Sequence, residues 1–413
     1  MRKAIIVGIV TGKEDQYYLE ELINLAKADD IEVVEIVKQN LKTPNGKYYI
    51  GKGKVDELKD YIKYLNPDLI IFDEELSPSQ VKNLEEALEV QIIDRTLLIL
   101  DIFAMRARTR ISKLQVELAK AKYMLPRLIG LNKGLSRQTS SGNLNSKGQG
   151  ETQLELDRRV LLNNIYKIKD ELKEKEIERQ TEKSKRLKNN IKLVSLCGYT
   201  NAGKSSILNK LIELSNADTS KQVFEKDMLF ATLDTETRKI KFKNMPEFLL
   251  SDTIGFISKL PHHLIEAFKA TLEQLEDADL LLHVVDASNP NYLEQIETTN
   301  QVLESLNLTN KPVIYVMNKA DLCLNKPNYL LNDYVVISAK TNQGIDNLLA
   351  HINEILFKEH QRSHLLIPYD RGDLYAKLKQ KAMILEENSL DDGIHIFCEL
   401  PVTLNDQFKD YIK

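Results

Sequence analysis

Short apolar runs alternate with amphipathic stretches through the first hundred residues of the chain. Four runs rich in apolar and β-branched residues predict buried strands, at Ala4–Val10, Glu32–Val37, Leu69–Phe72 and Val90–Ile93. Three stretches with apolar residues three or four positions apart predict helices, at Gln16–Ala28, Val55–Leu65 and Pro78–Leu88. Strands that alternate with helices favour a parallel sheet with crossover helices, so residues 1–104 are predicted to form an α/β domain.

The pattern changes in residues 105–188, where apolar residues keep a helical spacing but become sparse. Ile111–Leu125 predicts a helix that Pro126 ends, and a second long helix is predicted to begin at Glu151 or the next residue. The segment between them, Arg127–Gly150, is rich in Gly, Ser, Asn and basic residues, which predicts a mobile loop. These features together predict a two-helix antiparallel hairpin with a glycine-rich tip.

Strand and helix patterns alternate again in residues 190–360, which predicts a second parallel sheet. Its predicted strands include Leu193–Cys197, Phe248–Leu250, Pro312–Met317 and Val335–Ile337. Residues 364–413 predict a small α+β domain with strands Leu365–Ile367 and Ile394–Leu400 and helices Asp373–Met383 and Thr403–Ile412. The predicted fold class is therefore α/β, with these four domains along the chain.

A complete phosphate-binding loop (P-loop) follows the first strand of the second sheet. Its sequence is Gly-Tyr-Thr-Asn-Ala-Gly-Lys-Ser, and it leads into the helix-patterned Lys204–Leu211. The glycines let backbone N–H groups surround a phosphate, and the helix N-terminus adds partial positive charge. Lys204 is the candidate for contacting the β- and γ-phosphates, and the Ser205 hydroxyl is the candidate ligand of Mg²⁺. The residues predicted to hold the nucleotide here are Gly198, Tyr199, Thr200, Asn201, Ala202, Gly203, Lys204, Ser205 and Ser206.

Two later segments predict that the bound base is guanine. Asn318-Lys319-Ala320-Asp321 follows a strand, and a carboxylate such as Asp321 can accept hydrogen bonds from guanine N1–H and N2–H₂. Adenine has no donors in that pattern, which favours GTP over ATP. Asn318 is predicted to brace the loop and Lys319 to lie along the base. Ser338-Ala339-Lys340 follows the next strand, and a backbone N–H there can bind the guanine carbonyl.

Asp252-Thr253-Ile254-Gly255 ends another strand and is predicted to sense the γ-phosphate. Asp252 is the candidate for holding the hydration shell of Mg²⁺, and the Gly255 N–H for touching the phosphate. Thr232, in the polar stretch Ser215–Thr237, is predicted to give its hydroxyl oxygen to Mg²⁺ in the GTP state. Three further threonines compete for that role: Thr219, Thr235 and Thr237.

The residue after Gly255 is Phe256, where many GTPases place a glutamine that orients the attacking water. Two interpretations remain open: the ring packs in the core while another group positions the water, or intrinsic hydrolysis is slow and needs outside help. Asn201 is a candidate helper, because its amide oxygen could ligate K⁺ near the β- and γ-phosphates. The alternative is an amide that stabilises the loop.

Composition and charge indicate that the chain also binds a polyanion. The chain has 413 residues, 29% of them charged, and no apolar run long enough to span a membrane. Three distant cysteines form no disulfide or metal pattern, which is typical of a cytoplasmic protein. Net charge is −4, yet residues 106–188 carry 21 Lys+Arg against 10 Asp+Glu. This basic segment is predicted to contact RNA through Arg127, Lys133, Arg137 and Lys147.

Gly51-Lys52-Gly53-Lys54 is a candidate second nucleotide site. It precedes a predicted helix, and backbone N–H groups at a helix start can bind an anion. The alternative, a flexible turn into the helix, is favoured, because a segment with only two glycines is a weak signal for a binding site.

The separated motifs of the chain resemble the HflX family, ribosome-associated GTPases of the Obg–HflX group. The resemblance spans nearly the whole sequence. Beside the P-loop, its most specific blocks are Ile93-Asp94-Arg95-Thr96, Leu100–Ala104, Arg106–Thr109, Lys113–Ala119, Tyr123–Leu128, Gly150–Glu155 and Asp157–Arg159.

The resemblance implies an N-terminal HflX domain, a helical subdomain, a GTPase domain and a C-terminal domain. It implies Mg²⁺-dependent hydrolysis of GTP to GDP and phosphate, stimulated by the ribosome. It also implies GTP-dependent binding to the large ribosomal subunit, with the basic tip near the peptidyl-transferase centre. Family members are implicated in splitting stalled or stressed ribosomes, and some bind ATP through the N-terminal domain. The chain is thus expected to be cytoplasmic, monomeric when free and partly ribosome-associated.

The tip departs from the family pattern Arg-Gly-Pro-Gly-Glu, which stands here as Lys147-Gly148-Gln149-Gly150-Glu151. Lys147 keeps the charge but loses the planar fork of arginine, and Gln149 loses the fixed backbone of proline. Weaker RNA contacts are therefore expected. Two other hypotheses stay open: a GTP-gated adaptor that recruits a protein partner, and an RNA-remodelling ATPase driven from the N-terminal domain.

Overall fold

A computed structural model of the protein describes residues 1–10, 12, 14–138, 147–188, 191–215, 236–242, 245–261, 264, 269–323 and 333–413. Thr232 and its competitors Thr219 and Thr235 lie outside these residues, as does segment 139–146 of the predicted tip. Within them, no helix is long and apolar enough to cross a membrane. The chain divides into two compact units: the first includes Met1–Ile177 and Ile257–Thr271, and the other described residues form the second.

The first unit contains a parallel four-stranded sheet in the order β2-β1-β3-β4. Its elements are β1 (Arg2–Ile9), α1 (Glu14–Ala28), β2 (Ile31–Gln39), α2 (Lys52–Leu65), β3 (Leu69–Phe72), α3 (Pro78–Leu88) and β4 (Gln91–Asp94). On one face, Ile5 and Phe72 pack against Leu58 of α2 and Leu84 of α3. The alternation of strands and helices predicted for this region is therefore confirmed.

Helix α4 (Arg95–Arg106) follows β4 directly, and the apolar spacing did not predict it. Most of its side chains are buried, including Leu98, Ile99, Leu100 and Phe103. A helix buried on nearly all sides has no one-sided apolar spacing, which is why the pattern missed it.

Two long helices, α5 (Arg110–Gln138) and α6 (Lys147–Lys188), form the predicted antiparallel pair. Arg110 pairs with Glu171 at 2.6 Å, while Leu125 and Leu161 share an apolar cluster further along the two helices. The start of α5 therefore contacts a later part of α6, and a later part of α5 contacts an earlier part of α6. The two helices run in opposite directions.

The prediction that Pro126 ends the first helix and that a loop fills residues 127–150 is wrong. Helix α5 continues through Pro126 to Gln138, and α6 already begins at Lys147. Proline removes one backbone donor from the helix. Here the guanidinium of Arg127 donates to the Tyr123 carbonyl (2.9 Å), which adds a bond across the proline turn.

Arg127 was also predicted to contact RNA, and the structure places it elsewhere. Its guanidinium lies 3.3 Å from the ring centroid of Tyr123 and donates to the Leu76 carbonyl (2.8 Å) and to Asp94 Oδ2 (3.1 Å). Arg127 therefore anchors the second half of α5 to the end of β4 and to the segment before α3. The other predicted RNA contacts lie within α5 or α6, and their side chains lie outside the described parts: Lys133, Arg137 and Lys147.

The second unit contains a six-stranded sheet in the order β10-β9-β8-β5-β7-β6, parallel except for β6. Its strands are β5 (Lys192–Gly198), β6 (Glu236–Phe242), β7 (Met245–Asp252), β8 (Leu280–Asp286), β9 (Val313–Asn318) and β10 (Tyr334–Val336). Its helices are α7 (Lys204–Leu214), α8 (Lys269–Asp277), α9 (Tyr292–Ser305) and α10 (Ile345–Leu356). Since β5 lies between β7 and β8, the loops after β5 and β7 are neighbours.

The tail combines a three-stranded antiparallel sheet, in the order β11-β13-β12, with two helices. Its elements are β11 (His360–Ile367), α11 (Gly372–Lys381), β12 (Met383–Leu390), β13 (Gly393–Pro401) and α12 (Val402–Phe408). Strand β12 was not predicted, because most of its residues are exposed and several are polar. The last helix ends at Phe408, before the predicted end, and a short 3₁₀ turn follows it.

The buried carboxylate of Asp94 generates a stability prediction. It is fully buried and accepts hydrogen bonds from Leu97 N (2.8 Å), Leu76 N (3.0 Å) and the Arg127 guanidinium. Asp94→Ala should lower the free energy of unfolding of the first unit by about 3 kcal/mol, because it removes a helix cap and strands two buried donors. Urea-dependent hydrogen exchange at the α4 amides measures this loss.

Asp60→Ala, at an exposed position on α2, is the matched control and should change the same free energy by less than about 0.5 kcal/mol. Equal effects of the two substitutions would show that Asp94 does not hold the base of α4 and α5.

Candidate nucleotide-binding site

The P-loop connects β5 to α7, and its glycines occupy positions where a side chain does not fit. Gly198 and Gly203 have positive φ angles, 136° and 94°. A Cβ on Gly198 would lie 2.2 Å from the Val284 carbonyl oxygen, and one on Gly203 would lie 2.2 Å from Asn318 Nδ2. Only glycine combines this backbone with such close neighbours. Asn201, between them, is exposed and also has a positive φ of 59°.

Lys204 is held beneath the loop at the first position of α7. Its side chain is buried, and its ammonium donates to the carbonyls of Gly198 (3.1 Å) and Tyr199 (2.8 Å). Burial lowers the pKa of the Lys204 ammonium to about 8, because the charged form loses its water. A bound anion would favour the charged form, so the site is suited to phosphate.

Ser205 and Asp252 bring two oxygen ligands together where β7 ends beside α7. The Ser205 hydroxyl donates to Asp252 Oδ2 at 2.6 Å, and Asp252 is fully buried. A hydroxyl and a carboxylate are donors that suit Mg²⁺, which takes few protein ligands and completes its shell with water and substrate phosphates. Among the described residues there is no group of three or more His, Cys, Asp and Glu that could hold a metal ion.

Thr253 and Gly255 fix the segment after β7 against the P-loop. The Thr253 hydroxyl donates to the Leu196 carbonyl of β5 at 2.6 Å, so this side chain joins two strands. A Cβ on Gly255 would lie 2.8 Å from Thr200 Cα and 2.9 Å from Lys204 Nζ. The backbone of Gly255 therefore approaches the loop as closely as only glycine allows.

Phe256 packs in the core, in agreement with the first of the two interpretations of this residue. Its ring is 2% exposed. Its N–H donates to the Gly198 carbonyl at 3.1 Å, and its carbonyl accepts from the Thr200 N–H at 2.8 Å. The residue thus contributes backbone contacts to the P-loop and no polar side chain.

Asn318 connects the P-loop to the loop beyond β10. Its side-chain amide donates to the Ala202 carbonyl (3.0 Å), and its side-chain oxygen accepts from the Ala339 N–H (3.1 Å). The side chain is 2% exposed, so both bonds are shielded from water. One amide therefore sets the distance between two of the predicted contact segments.

Asp321 is exposed beside this amide, and the Ser338 hydroxyl donates to its Oδ1 at 2.6 Å. The ammonium of Lys319 pairs instead with Asp286 Oδ2 at 2.8 Å, where β8 ends. No sequence motif indicated Asp286. Its signal was available, since an acidic residue at the carboxyl end of a central strand lies at the edge where ligands bind.

Three of the predicted contact residues have buried side chains, so a ligand would contact their backbone groups. These residues are Tyr199, Ala202 and Ile254. Ser206 is half-buried on α7, and Lys340 is exposed after Ala339. The predicted magnesium ligand Thr232 lies outside the described residues.

At the candidate second nucleotide site, two of the groups that could bind an anion have protein partners. The Gly51 N–H donates to Gln39 Oε1 at 2.9 Å, and the Lys54 ammonium pairs with Glu57 at 2.7 Å. Helix α2 begins at Lys52, and nothing crowds Gly53. This geometry favours the alternative, a turn that leads into a helix.

Lys259, shortly after Gly255, makes a cluster in the first unit that no sequence motif indicated. Its ammonium binds Asp73 Oδ2 (2.8 Å) and Glu74 Oε1 (3.3 Å) and lies 4.7 Å from the ring centroid of Tyr18. Asp73 also accepts from the buried guanidinium of Arg95 at 2.7 Å. The chain that follows the Gly255 motif is thus fixed among acidic residues of the first unit.

Comparison with known proteins assigns successive parts of the chain to three described families. These are GTP-binding GTPase N-terminal (residues 16–104), GTP-binding GTPase Middle Region (106–186) and 50S ribosome-binding GTPase (193–319). GTPase HflX of Caldanaerobacter subterraneus subsp. tengcongensis is 44% identical over 410 residues, 99% of this chain and 94% of the relative. GTPase HflX of Escherichia coli is 40% identical over 403 residues, 95% and 91% of the two chains. A crystal structure of SsGBP with GDP is 26% identical with a TM-score of 0.48 and covers 87% of this chain and 99% of that one.

The Asn318 bridge generates a prediction for the site. Asn318→Ala should lower the free energy of unfolding of the second unit by about 3 kcal/mol, because two buried backbone groups lose their partner. Nucleotide affinity should fall as well, since the two contact loops are no longer held together. Thermal unfolding and nucleotide titration measure the two effects.

Asn347→Ala, at an exposed position on α10, is the control and should leave both quantities unchanged. An Asn318→Ala protein with full stability and full affinity would show that the bridge is dispensable.

Proposed function

The chain belongs to the HflX family of GTPases and binds and hydrolyses GTP, and on that premise we propose that it acts on ribosomes. In this proposal the GTP-bound protein binds the large ribosomal subunit and dissociates or rescues stalled ribosomes. The family that matches residues 193–319 is described as ribosome-binding, which supports this partner. The protein would be cytoplasmic, monomeric when free and partly bound to ribosomes.

The observation that carries the proposal is the charge of residues 106–188, where 21 Lys+Arg stand against 10 Asp+Glu. Basic residues of α6 are exposed in the described part of the hairpin, including Arg158, Arg159, Lys167 and Lys169. Exposed cations gain affinity for RNA by releasing counterions from its phosphates. A basic helical hairpin is therefore suited to enter ribosomal RNA, here proposed near the peptidyl-transferase centre.

The end of α6 has a firm attachment in the second unit, which supports coupling between nucleotide and hairpin. Arg179 donates to Asp277 Oδ2 at 2.8 Å, and Lys183 pairs with the same carboxylate. Arg186 donates to the Asp277 carbonyl at 2.9 Å. Asp277 ends α8, the helix between the Gly255 segment and β8. We propose that rearrangement around the γ-phosphate reaches α6 through this carboxylate.

For hydrolysis we propose that Lys204 binds the β- and γ-phosphates and that the Gly255 N–H touches the γ-phosphate. Ser205 and Thr232 would hold Mg²⁺ directly, and Asp252 would hold it through water. When bound, Mg²⁺ supplies positive charge to the phosphate oxygens. Asn201, exposed at the top of the loop, is the proposed ligand of K⁺. Ribosome binding is proposed to stimulate the reaction.

The guanine base is proposed to lie between Asp321 and the backbone of Ser338-Ala339-Lys340. The Ser338 and Ala339 N–H groups already donate to the Gln343 carbonyl and to Asn318 Oδ1, so the Lys340 N–H is the proposed donor to the guanine carbonyl. The Ser338 hydroxyl bonds one oxygen of Asp321, which leaves the carboxylate oriented for two donors from the base. The ATP site at Gly51–Lys54 is not part of the proposal, because Gln39 occupies the Gly51 N–H.

Base selection can be tested by reversing one hydrogen-bond pattern. Asp321→Asn should weaken GTP binding by at least about 10²-fold and improve binding of xanthosine triphosphate, because the amide donates where the carboxylate accepted. Competition with a fluorescent nucleotide measures both affinities. Asp346→Asn, an exposed carboxylate on α10, should change neither. Equal losses for both nucleotides would remove Asp321 from the base site.

Ribosome action can be tested with purified subunits. GTP turnover should rise when large subunits are added, and should be higher in potassium than in sodium. Co-sedimentation with a non-hydrolysable GTP analogue should weaken steeply as salt rises, since phosphate contacts release counterions. Binding that survives nuclease treatment and depends little on salt would favour the adaptor hypothesis instead.

The role of the hairpin in ribosome binding can be tested by substituting glutamate for Arg137 and Lys147, which reverses both charges. The double variant should bind large subunits at least about tenfold more weakly at physiological salt, and its salt slope should fall by about two. Lys358→Glu with Lys409→Glu, at exposed positions outside the hairpin, makes the same change in net charge and should bind normally. Normal affinity of the hairpin variant would contradict the proposal.

A further inference from the structure

The missing glutamine leaves open which group orients the attacking water. Phe256 stands at that position, with its ring buried and its backbone bonded to Gly198 and Thr200. A buried phenyl ring cannot hydrogen-bond water, so a group other than the Phe256 side chain has to orient it.

Thr200 carries a hydroxyl that the folded chain leaves unused. The residue is 5% exposed, and its Oγ1 is buried with no hydrogen-bond partner among the described residues. Buried polar groups are nearly always paired, because an unpaired one loses water without compensation. The backbone N–H of the same residue is already satisfied by the Phe256 carbonyl at 2.8 Å. The unpaired oxygen therefore indicates a partner that arrives with the ligand.

Thr200 shares one small space with Gly255 and Lys204. The point that a Cβ on Gly255 would occupy lies 2.8 Å from Thr200 Cα, and 2.9 Å from both Thr200 Cγ2 and Lys204 Nζ. Under the proposed function, the γ-phosphate contacts the Lys204 ammonium and the Gly255 N–H. The Thr200 side-chain atom nearest this point is the methyl Cγ2, and the Cβ that bears this methyl also carries the hydroxyl. Rotation about the Cα–Cβ bond exchanges the two positions and brings the hydroxyl next to the reacting phosphate.

We propose that the Thr200 hydroxyl is a catalytic residue that orients the attacking water at the γ-phosphate. Its oxygen accepts a hydrogen bond from the water, and its O–H donates a hydrogen bond to a γ-phosphate oxygen. The water oxygen bonds to phosphorus, the bond from phosphorus to the bridging oxygen breaks, and its electron pair leaves with GDP. The water proton ends on the released phosphate, so the threonine is unchanged. This inference rests on the proposed placement of the γ-phosphate.

Thr200→Val tests the hydroxyl alone, because valine keeps the branched shape and the backbone bond to Phe256. Single-turnover GTP hydrolysis should slow by about 10²-fold, the cost typical of losing one aligned hydrogen bond in a transition state. Affinities for GTP and GDP should change less than about threefold. Thr200→Ser should restore most of the rate, because it returns the hydroxyl.

A second readout separates catalysis from folding. Binding of GDP with aluminium fluoride and Mg²⁺, a planar mimic of the transferring phosphoryl group, should weaken in Thr200→Val by about the factor lost in rate. Thr299→Val removes another fully buried hydroxyl, on α9 outside the site, and should leave hydrolysis and mimic binding unchanged.

Lys204→Ala distinguishes failure of this inference from failure of the proposed function. If Lys204→Ala is inactive while Thr200→Val hydrolyses GTP at the rate of the unsubstituted protein, the role of Thr200 is overturned and the site stands. If Thr200→Ser is as slow as Thr200→Val, shape rather than the hydroxyl matters, which also overturns it. If Lys204→Ala keeps full activity, the placement of the γ-phosphate itself fails.

Discussion

The nucleotide site depends on one buried amide. Asn318 bonds the Ala202 carbonyl on one side and the Ala339 N–H on the other, so the P-loop and the loop beyond β10 are held by the same side chain. This contact exists because β9 and β5 flank β8 in one parallel sheet, whose strands end at a common edge. Gly203 provides the space, since a Cβ there would lie 2.2 Å from the amide nitrogen.

Around this amide, the phosphate end of the site is organised mainly by backbone groups. The backbone of Phe256 forms hydrogen bonds with Gly198 and Thr200 of the P-loop, and the Phe256 ring packs in the core. Two hydroxyl side chains, those of Thr200 and Ser205, lie among these backbone groups. In a site that excludes water, hydrogen-bonding groups that are already in position stabilise developing charge strongly, because they need not move during the reaction. Basic residues are enriched in another part of the sequence, the hairpin of α5 and α6.

Local signals explain which elements could be predicted. Strand β3 and helix α3 have the predicted bounds, because an apolar run sets the first and the capping box of Ser77 sets the second. Helix α4 was missed because burial on nearly all sides removes its periodicity. Strand β12 was missed because pairing with β13, rather than an apolar pattern, makes it a strand. The error at Pro126 arose from the rule that proline ends a helix, whereas α5 continues through it and Arg127 is held by contacts distant in sequence.

The sequence by itself determined the α/β class, the P-loop, the guanine motif and the family, because glycine spacing and strand-end motifs are local in the chain. Only the tertiary structure decided that Arg127 anchors α5 through Asp94. It also decided that Lys319 pairs with Asp286 and that Lys259 binds Asp73 in the first unit. It also left the Thr200 hydroxyl without a partner among the described residues. These contacts join residues that are far apart in the sequence and form only when the strands and helices assemble, so no local sequence pattern predicts them.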